Sequence, residues 1–457
     1  MSRRVVVLVA TIFLSVSVAA VGQVTFDPVA ELQAARADLV SAQGRLDGLG
    51  GDVANALARV DNALAALTTT TVPTTTTIAT TTTAAPTTTT ATTLPPTTTT
   101  EAPTTTTVIV TTTTAPGAIV VKPSDSVASI VAAAPAGSTI LFSPGTYSGL
   151  TLVVKAGVTL DALDPANKPL FDGNGRVWFV EGAGGSAANV TIEDLRFTDY
   201  NPADPSWVNV SGSAFRRVGG VRGPTLPNAT LIRLEGFGNG VAVDMGDGMT
   251  IIDGWFHHNH QLNVYGNQRS NFEIIGGEWS HANVRPDGKN YYATGWEAGG
   301  NKFVRCTDFV IDGLYSHHNG GAGIWADGWN ERGTIRNSRV EFNAKAGIFW
   351  ELSYDGLIEN NIATGNAGFG NIYVSNSTGT AAKPIIVRNN TVGANQLGNS
   401  IAMQGDGNRV VLLGHVSIVD NVVDGKIVLN LLNGHPQPPG IVVTGNKKPN
   451  GTPIGLS

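Results

Sequence analysis

The chain has 457 residues, 42% of them hydrophobic and only 14% charged, with a formal net charge of −6 at pH 7. Without a basic patch to neutralise phosphates, nucleic acid is excluded as a partner. A single cysteine excludes an intrachain disulfide; this residue, Cys306, falls in a strand-like stretch and is expected in the core.

Composition divides the chain into unequal parts. Residues 1–22 carry Arg3 and Arg4 before an apolar run from Val5 to Val21. That is the pattern of a signal peptide or a short membrane anchor, and either one predicts a secreted or cell-surface protein. Residues 23–67 are predicted helical. Asp27-Pro28 forms a cap, and Leu32, Ala35, Leu39, Ala42, Leu46 and Leu49 open a run in 3-4 spacing, the seam of a coiled coil and hence of a homo-oligomer. Gly44, Gly48, Gly50 and Gly51 oppose it, each costing roughly 1 kcal/mol in a helix. Residues 68–116 are almost pure Thr with Pro and Ala; such a tract cannot build a core and is expected to be a disordered linker or stalk.

Residues 117–457 form the last part, and within it, between about residue 250 and residue 405, a two-strand phrase recurs. With Ile252, Ile275, Ile311, Ile335, Ile358, Val387 and Val419 in one column, successive steps are 23, 36, 24, 23, 29 and 32 residues. Asn259, Asn319, Asn343, Asn366 and Asn395 follow the column, and then Val264, Ile324, Ile348, Ile372 and Ile401. Short apolar runs broken by Gly and Asn suit β-strands, and a period in the low twenties means one unit stacked on itself. Asn at one corner of every unit tolerates left-handed backbone and can bond the Asn above and below. A leucine-rich repeat would need a regular Leu frame, which is absent. The expected fold is therefore all-β, a solenoid of roughly a dozen coils at about 24 residues each.

Two stretches carry a family resemblance. Val120 to Val127, Ala132 to Leu141 and the Pro144-Gly145-Thr146-Tyr147 turn resemble the opening of pectate-lyase-like proteins. The segments Trp296 to Lys302, His318 to Asp327 and Ala346 to Tyr354 resemble secreted bacterial right-handed parallel β-helix proteins of that superfamily. The resemblance implies a short helix at 126–134 capping the open end of a right-handed parallel β-helix. It is weak for reaction, since the superfamily spans lyases, hydrolases, epimerases and non-enzymatic spikes. Polygalacturonase-type motifs are absent, and Gly414-His415-Val416 is a poor partial match.

Laying coils over one another puts Lys302, Asp327 and Glu351 at similar places on neighbouring rungs, about 4.8 Å apart. Two carboxylates roughly 5 Å apart suit a nucleophile and acid/base pair of a retaining glycosidase. They equally suit a Ca²⁺ site with Lys302 or a His as proton abstractor. Glu297 completes either arrangement, and His318 is the candidate proton shuttle. A plain surface ladder of alternating charge remains the structural alternative. Trp296, Trp325, Trp329, Trp350 and Tyr354, with Tyr291, Tyr292 and Arg285 on an insertion at 281–307, are expected to line a sugar-binding groove. His257, His258, His260, His317 and His318 lack the three-ligand spacing of a transition-metal site. The expectation is an extracellular polysaccharide-binding protein that degrades or modifies its ligand, of lyase or glycoside hydrolase type. Its rival is a non-catalytic cell-surface adhesin or spike on a stalk.

Overall fold

A computed structural model describes residues 117–210, 218–294 and 297–457. The expected signal or anchor, the helical segment and the Thr/Pro linker lie outside the described residues, as does Trp296. Among the described residues, no helix is long and apolar enough to cross a membrane.

The architecture is a parallel coil with three faces. The first sheet has thirteen strands, and the second and third have eleven each. Every strand pairs in parallel with its counterpart one coil away. One turn runs Val310–Asp312 in the first sheet, Tyr315–His317 in the second and Ile324–Asp327 in the third. Left-handed residues make the bends, such as Gly313 (φ 75°) between the first two strands and His318 (φ 53°) before the third. The expected cap is the α-helix Val127–Ala133, which buries Val127 and Val131. Tyr147 of the Pro-Gly-Thr-Tyr turn is buried, its hydroxyl donating to the carbonyls of Val121 and Ser143 at 2.9 and 2.8 Å.

The register corrects the predicted column by one residue at three places. Ile252 pairs with Ile275, but Ile275 pairs with Asp312 and Val419 with Arg388. The inward column is Leu160, Ile192, Leu231, Ile251, Ile274, Ile311, Ile335, Ile358, Val387 and Ile418. In a strand a one-residue shift turns a side chain to the opposite face. Ile275 accordingly stands outside, 41% exposed, while Ile274 is fully buried.

The third-sheet column is as expected: Ile324, Ile348, Ile372 and Ile401 stack in sequence, and all are buried. The Asn corner is a buried ladder. Asn319 donates to Asn343 and Asn343 to Asn366, each at 2.9 Å, and each carboxamide oxygen also accepts the backbone N–H of the residue before it in the ladder. Asn395 does not continue it; Asn371 takes the next place, and Asn395 donates to the Gly368 carbonyl instead. A second ladder, Asn361, Asn390, Asn421 and Asn446, climbs the bend between the first and second sheets. Cys306 is buried, and burial pushes its thiol up to about 12.

Candidate functional site

The outward face of the third sheet carries two side-chain rows. The first runs Arg222, Asp244, Tyr265, Lys302. Because Phe303 pairs with Ala326, the residue above Lys302 is Trp325, followed by Phe349 and Tyr373. The second row lies two residues further along each strand and includes Asp327, Glu351 and Ser375.

Lys302 is thus not in line with Asp327 and Glu351, as residue counting suggests. Its side chain runs diagonally from the first row to the second. The ammonium sits 2.6 Å from Asp327 Oδ2 and 3.1 Å from Glu297 Oε1, and lies 4.0 Å from the Trp325 ring centroid. Lys302 is only 4% exposed, so this cation is held in a dry setting by two carboxylates and a π face. The same geometry answers the calcium alternative. The ammonium already occupies the position between Glu297 and Asp327, so these residues do not fit Ca²⁺ there.

Glu351 is the register partner of Asp327, one rung away. Its Oε2 accepts the Trp325 indole N–H at 3.2 Å. Burial, and then the charge of Asp327, push the Glu351 carboxyl up to about 7, against the opposing pull of Lys302, Arg409 and the indole. The pair therefore divides roles at neutral pH. Asp327 is ion-paired with Lys302, and Glu351 exchanges its proton near neutrality, where an ordinary glutamate has already lost it.

Other predicted residues part company with this centre. Trp350 is a correction: it points inward and is fully buried, its indole N–H donating to the Tyr354 carbonyl at 2.9 Å. The core accepts so large a ring because Gly356 lies against it; a Cβ there would come within 2.4 Å of the indole. His318 is also a correction. Its contacts are other rings: it stacks on His281 at 5.4 Å, lies 5.3 Å from Phe342, and its Nδ1 is 2.7 Å from His317 Nδ1. Nothing links it to the Asp327–Glu351 pair.

Arg285 and Tyr292 hold the insertion together rather than facing a groove. Arg285 donates to the carbonyls of Pro205 and Trp207 at 2.6 Å each, and buried Tyr292 meets the Trp207 ring edge-on at 5.7 Å. Tyr291 is nearly buried against His260 at 4.4 Å. The segment from 281 ties to the stretch before residue 210 and delivers Glu297 to Lys302, so it positions the site without lining it. Trp329 is 40% exposed beneath the Arg305 guanidinium, and Tyr354 borders an apolar depression with Val411 and Leu413.

Sequence reasoning missed four contributors. Asp244, two rungs before Lys302, has its carboxyl pushed by burial up to about 7, with Arg269 and Arg222 opposing. Phe349 and Tyr373 extend Trp325 into a stack with centroids 5.5 and 4.7 Å apart. Arg409 adds positive potential from two rungs beyond Glu351. The signal available was the alternation of outward positions at the register of Ile324, Ile348 and Ile372.

Among solved structures, three similar ones are the following. The A-module of the Azotobacter vinelandii mannuronan C-5 epimerase AlgE4 is 14% identical at a TM-score of 0.45, covering 72% of this chain and 93% of its own. The PL6 family alginate lyase AlyGC is 13% identical at 0.38, covering 72% and 54%. Pectate lyase Pel9A is 14% identical at 0.30, covering 72% and 79%. At these values the likeness carries nothing about reaction or substrate. No curated protein matches the sequence. Residues 217–423 match the family model described as a right handed beta helix region, and with three parallel sheets in register from one coil to the next the described residues have the fold of a right-handed parallel β-helix.

Proposed function

We propose that the protein binds an extracellular polysaccharide along the third sheet and transfers a proton to or from it at the Asp327–Glu351 pair. One observation carries the reading: a half-buried carboxyl with its proton affinity raised into the neutral range, one rung from a carboxylate held by a dry ammonium. Adjacent rungs are about 4.8 Å apart, which suits a retaining glycoside hydrolase, with Glu351 as general acid and Asp327 as nucleophile. The same raised carboxyl suits the proton transfer of a lyase. Glu297 and Lys302 are positioning residues that set the charge of Asp327. The Trp325–Phe349–Tyr373 stack gives the groove an apolar floor beside the acids.

The non-catalytic reading, an adhesin on a stalk, has its own observation: Lys302 and Trp325 are nearly inaccessible and already satisfied by their neighbours.

The test is to incubate the full chain with uronate-rich and neutral polysaccharides while following absorbance near 232 nm and reducing ends. Elimination raises both signals and hydrolysis only the second. Glu351→Gln should lower the rate by about 10²-fold or more. Activity that persists in Glu351→Gln and Asp327→Asn refutes the site, and silence on a broad panel with binding retained favours the adhesin.

A further inference from the structure

His260 and Gln261 lead into the third-sheet strand Leu262–Asn267, and each holds a segment that is not part of the repeat. Nδ1 of His260 accepts the Ala203 N–H at 2.7 Å, which ties residues 200–210 to the coil. The Gln261 carboxamide N–H donates to the Glu297 carbonyl at 2.9 Å. The two held segments also brace one another. Asn209 N–H donates to the Asn290 carbonyl at 2.9 Å, and Val210 N–H to the Tyr291 carbonyl at 3.0 Å. The Tyr291 ring then returns to His260, with ring centroids 4.4 Å apart. One imidazole thus meets both the stretch before residue 210 and the connection ending at Glu297.

This contact exists in only one protonation state. Because Nδ1 accepts, it is bare, and the single proton of the neutral ring sits on Nε2. A second proton would make Nδ1 a donor facing another donor, and the bond would break. Ala203 is buried, so its N–H would then be stranded. Nothing nearby offsets the new charge. Among the described residues no carboxylate lies within ion-pair distance of His260, and burial alone lowers it from the usual 6.5 to about 4. The titratable group facing the ring is Tyr291, with Arg285 over Tyr291 at 5.2 Å and Asp287 on Arg285 at 3.0 Å. Asp204, next to Ala203 in the chain, bonds the N–H and hydroxyl of Ser206 instead.

We infer that His260 is an acid-released catch: its neutral ring holds residues 200–210 and the connection ending at Glu297 against the coil, and a proton at Nδ1 frees them. The folded chain favours the bare ring. The brace is therefore fully present above about pH 6.5 and is lost as pH falls toward about 4. That direction is opposite to Glu351, whose contribution is lost as pH rises. Release reaches Lys302, because the connection brings Glu297 Oε1 to 3.1 Å from its ammonium. The catch itself does not depend on the reaction proposed at Glu351.

The test is hydrogen exchange of the full chain, read by mass spectrometry at pH 7 and pH 4.5, with labelling times scaled to the intrinsic rate at each pH. Peptides covering 203–210 and 283–294 should exchange about tenfold or more faster at pH 4.5, while peptides covering 334–359 stay protected. His260→Asn supplies an oxygen acceptor that does not titrate, so these segments should stay protected at both pH values. His260→Ala should expose them at both. His281, where the connection begins, is also lowered to about 4. Each comparison is therefore repeated in His281→Phe, which keeps a stacked ring that cannot charge. Circular dichroism identifies a misfolded variant. The inference is overturned if 203–210 is equally protected at both pH values, or if His260→Asn loosens in acid as the parent does. It is also overturned if all peptides open together, which marks global acid unfolding.

Discussion

Glu351 shows how one side chain acquires chemistry from its neighbours. An ordinary glutamate titrates at 4.5, whereas this one is pushed up to about 7, first by burial and then by Asp327 on the adjacent rung. A carboxyl whose folded value exceeds its unfolded value stabilises the fold fully below about 4.5 and loses that contribution as pH rises through about 7. Two readouts follow from one group. The rate on any cleaved polysaccharide should fall on the alkaline side of about pH 7, because the proton is leaving. Urea denaturation of the parent should lose stability between about pH 5 and 7 relative to Glu351→Gln, which cannot ionise. A rate profile flat through neutrality, or parallel stability profiles, would show that Glu351 titrates as a solvent-exposed carboxyl.

Single elements are held by their counterparts one coil away, and the Asn ladder makes this measurable. Asn343 takes the backbone N–H and the carboxamide of Asn319 and passes its own to Asn366, all of them buried. Asn343→Ala strands these donors, and each buried orphan costs about 1–3 kcal/mol. Asn395 stands outside the ladder: it donates to the Gly368 carbonyl of the preceding coil, and its carboxamide oxygen accepts from Leu397 and Asn399 in the loop that follows it. The unfolding free energy from urea titration should therefore drop by several kcal/mol for Asn343→Ala and clearly less for Asn395→Ala. Equal losses would remove the ladder's claim to special weight. The ring stack of His258, His281 and His318 climbs beside this ladder at 4.7 and 5.4 Å, and burial lowers His281 to about 4, so the stack is neutral at ordinary pH.

At the scale of the whole molecule, a stacked array makes each coil the template for the next, and long connections become the features that distinguish one face from another. The connection ending at Glu297 and the stretch before residue 210 brace one another beside the third sheet. The N-terminal quarter is proposed to set valency. The 3-4 seam over residues 27–67 would join chains. Sedimentation velocity of the full chain should show an oligomer, and deletion of residues 27–67 should yield a monomer. A full chain that sediments as a monomer at micromolar concentration ends this proposal.

The repeat, the Asn corner and the column from Ile311 to Val387 were legible in the sequence, because stacking demands the same residue type at the same place in each coil; the capping helix was implied by the resemblance of the opening segment. Lys302, Asp327 and Glu351 could likewise be brought near one another by counting rungs, and Glu297 by its place at the foot of the insertion. Counting failed where coils differ in length. It assigned Ile275 rather than Ile274 to the interior and set Lys302 in line with Asp327, since a strand reverses its facing with every residue and an insertion shifts the count. Trp350 went inside because Gly356, its neighbour in space, left the volume of a ring, which residue type alone does not reveal.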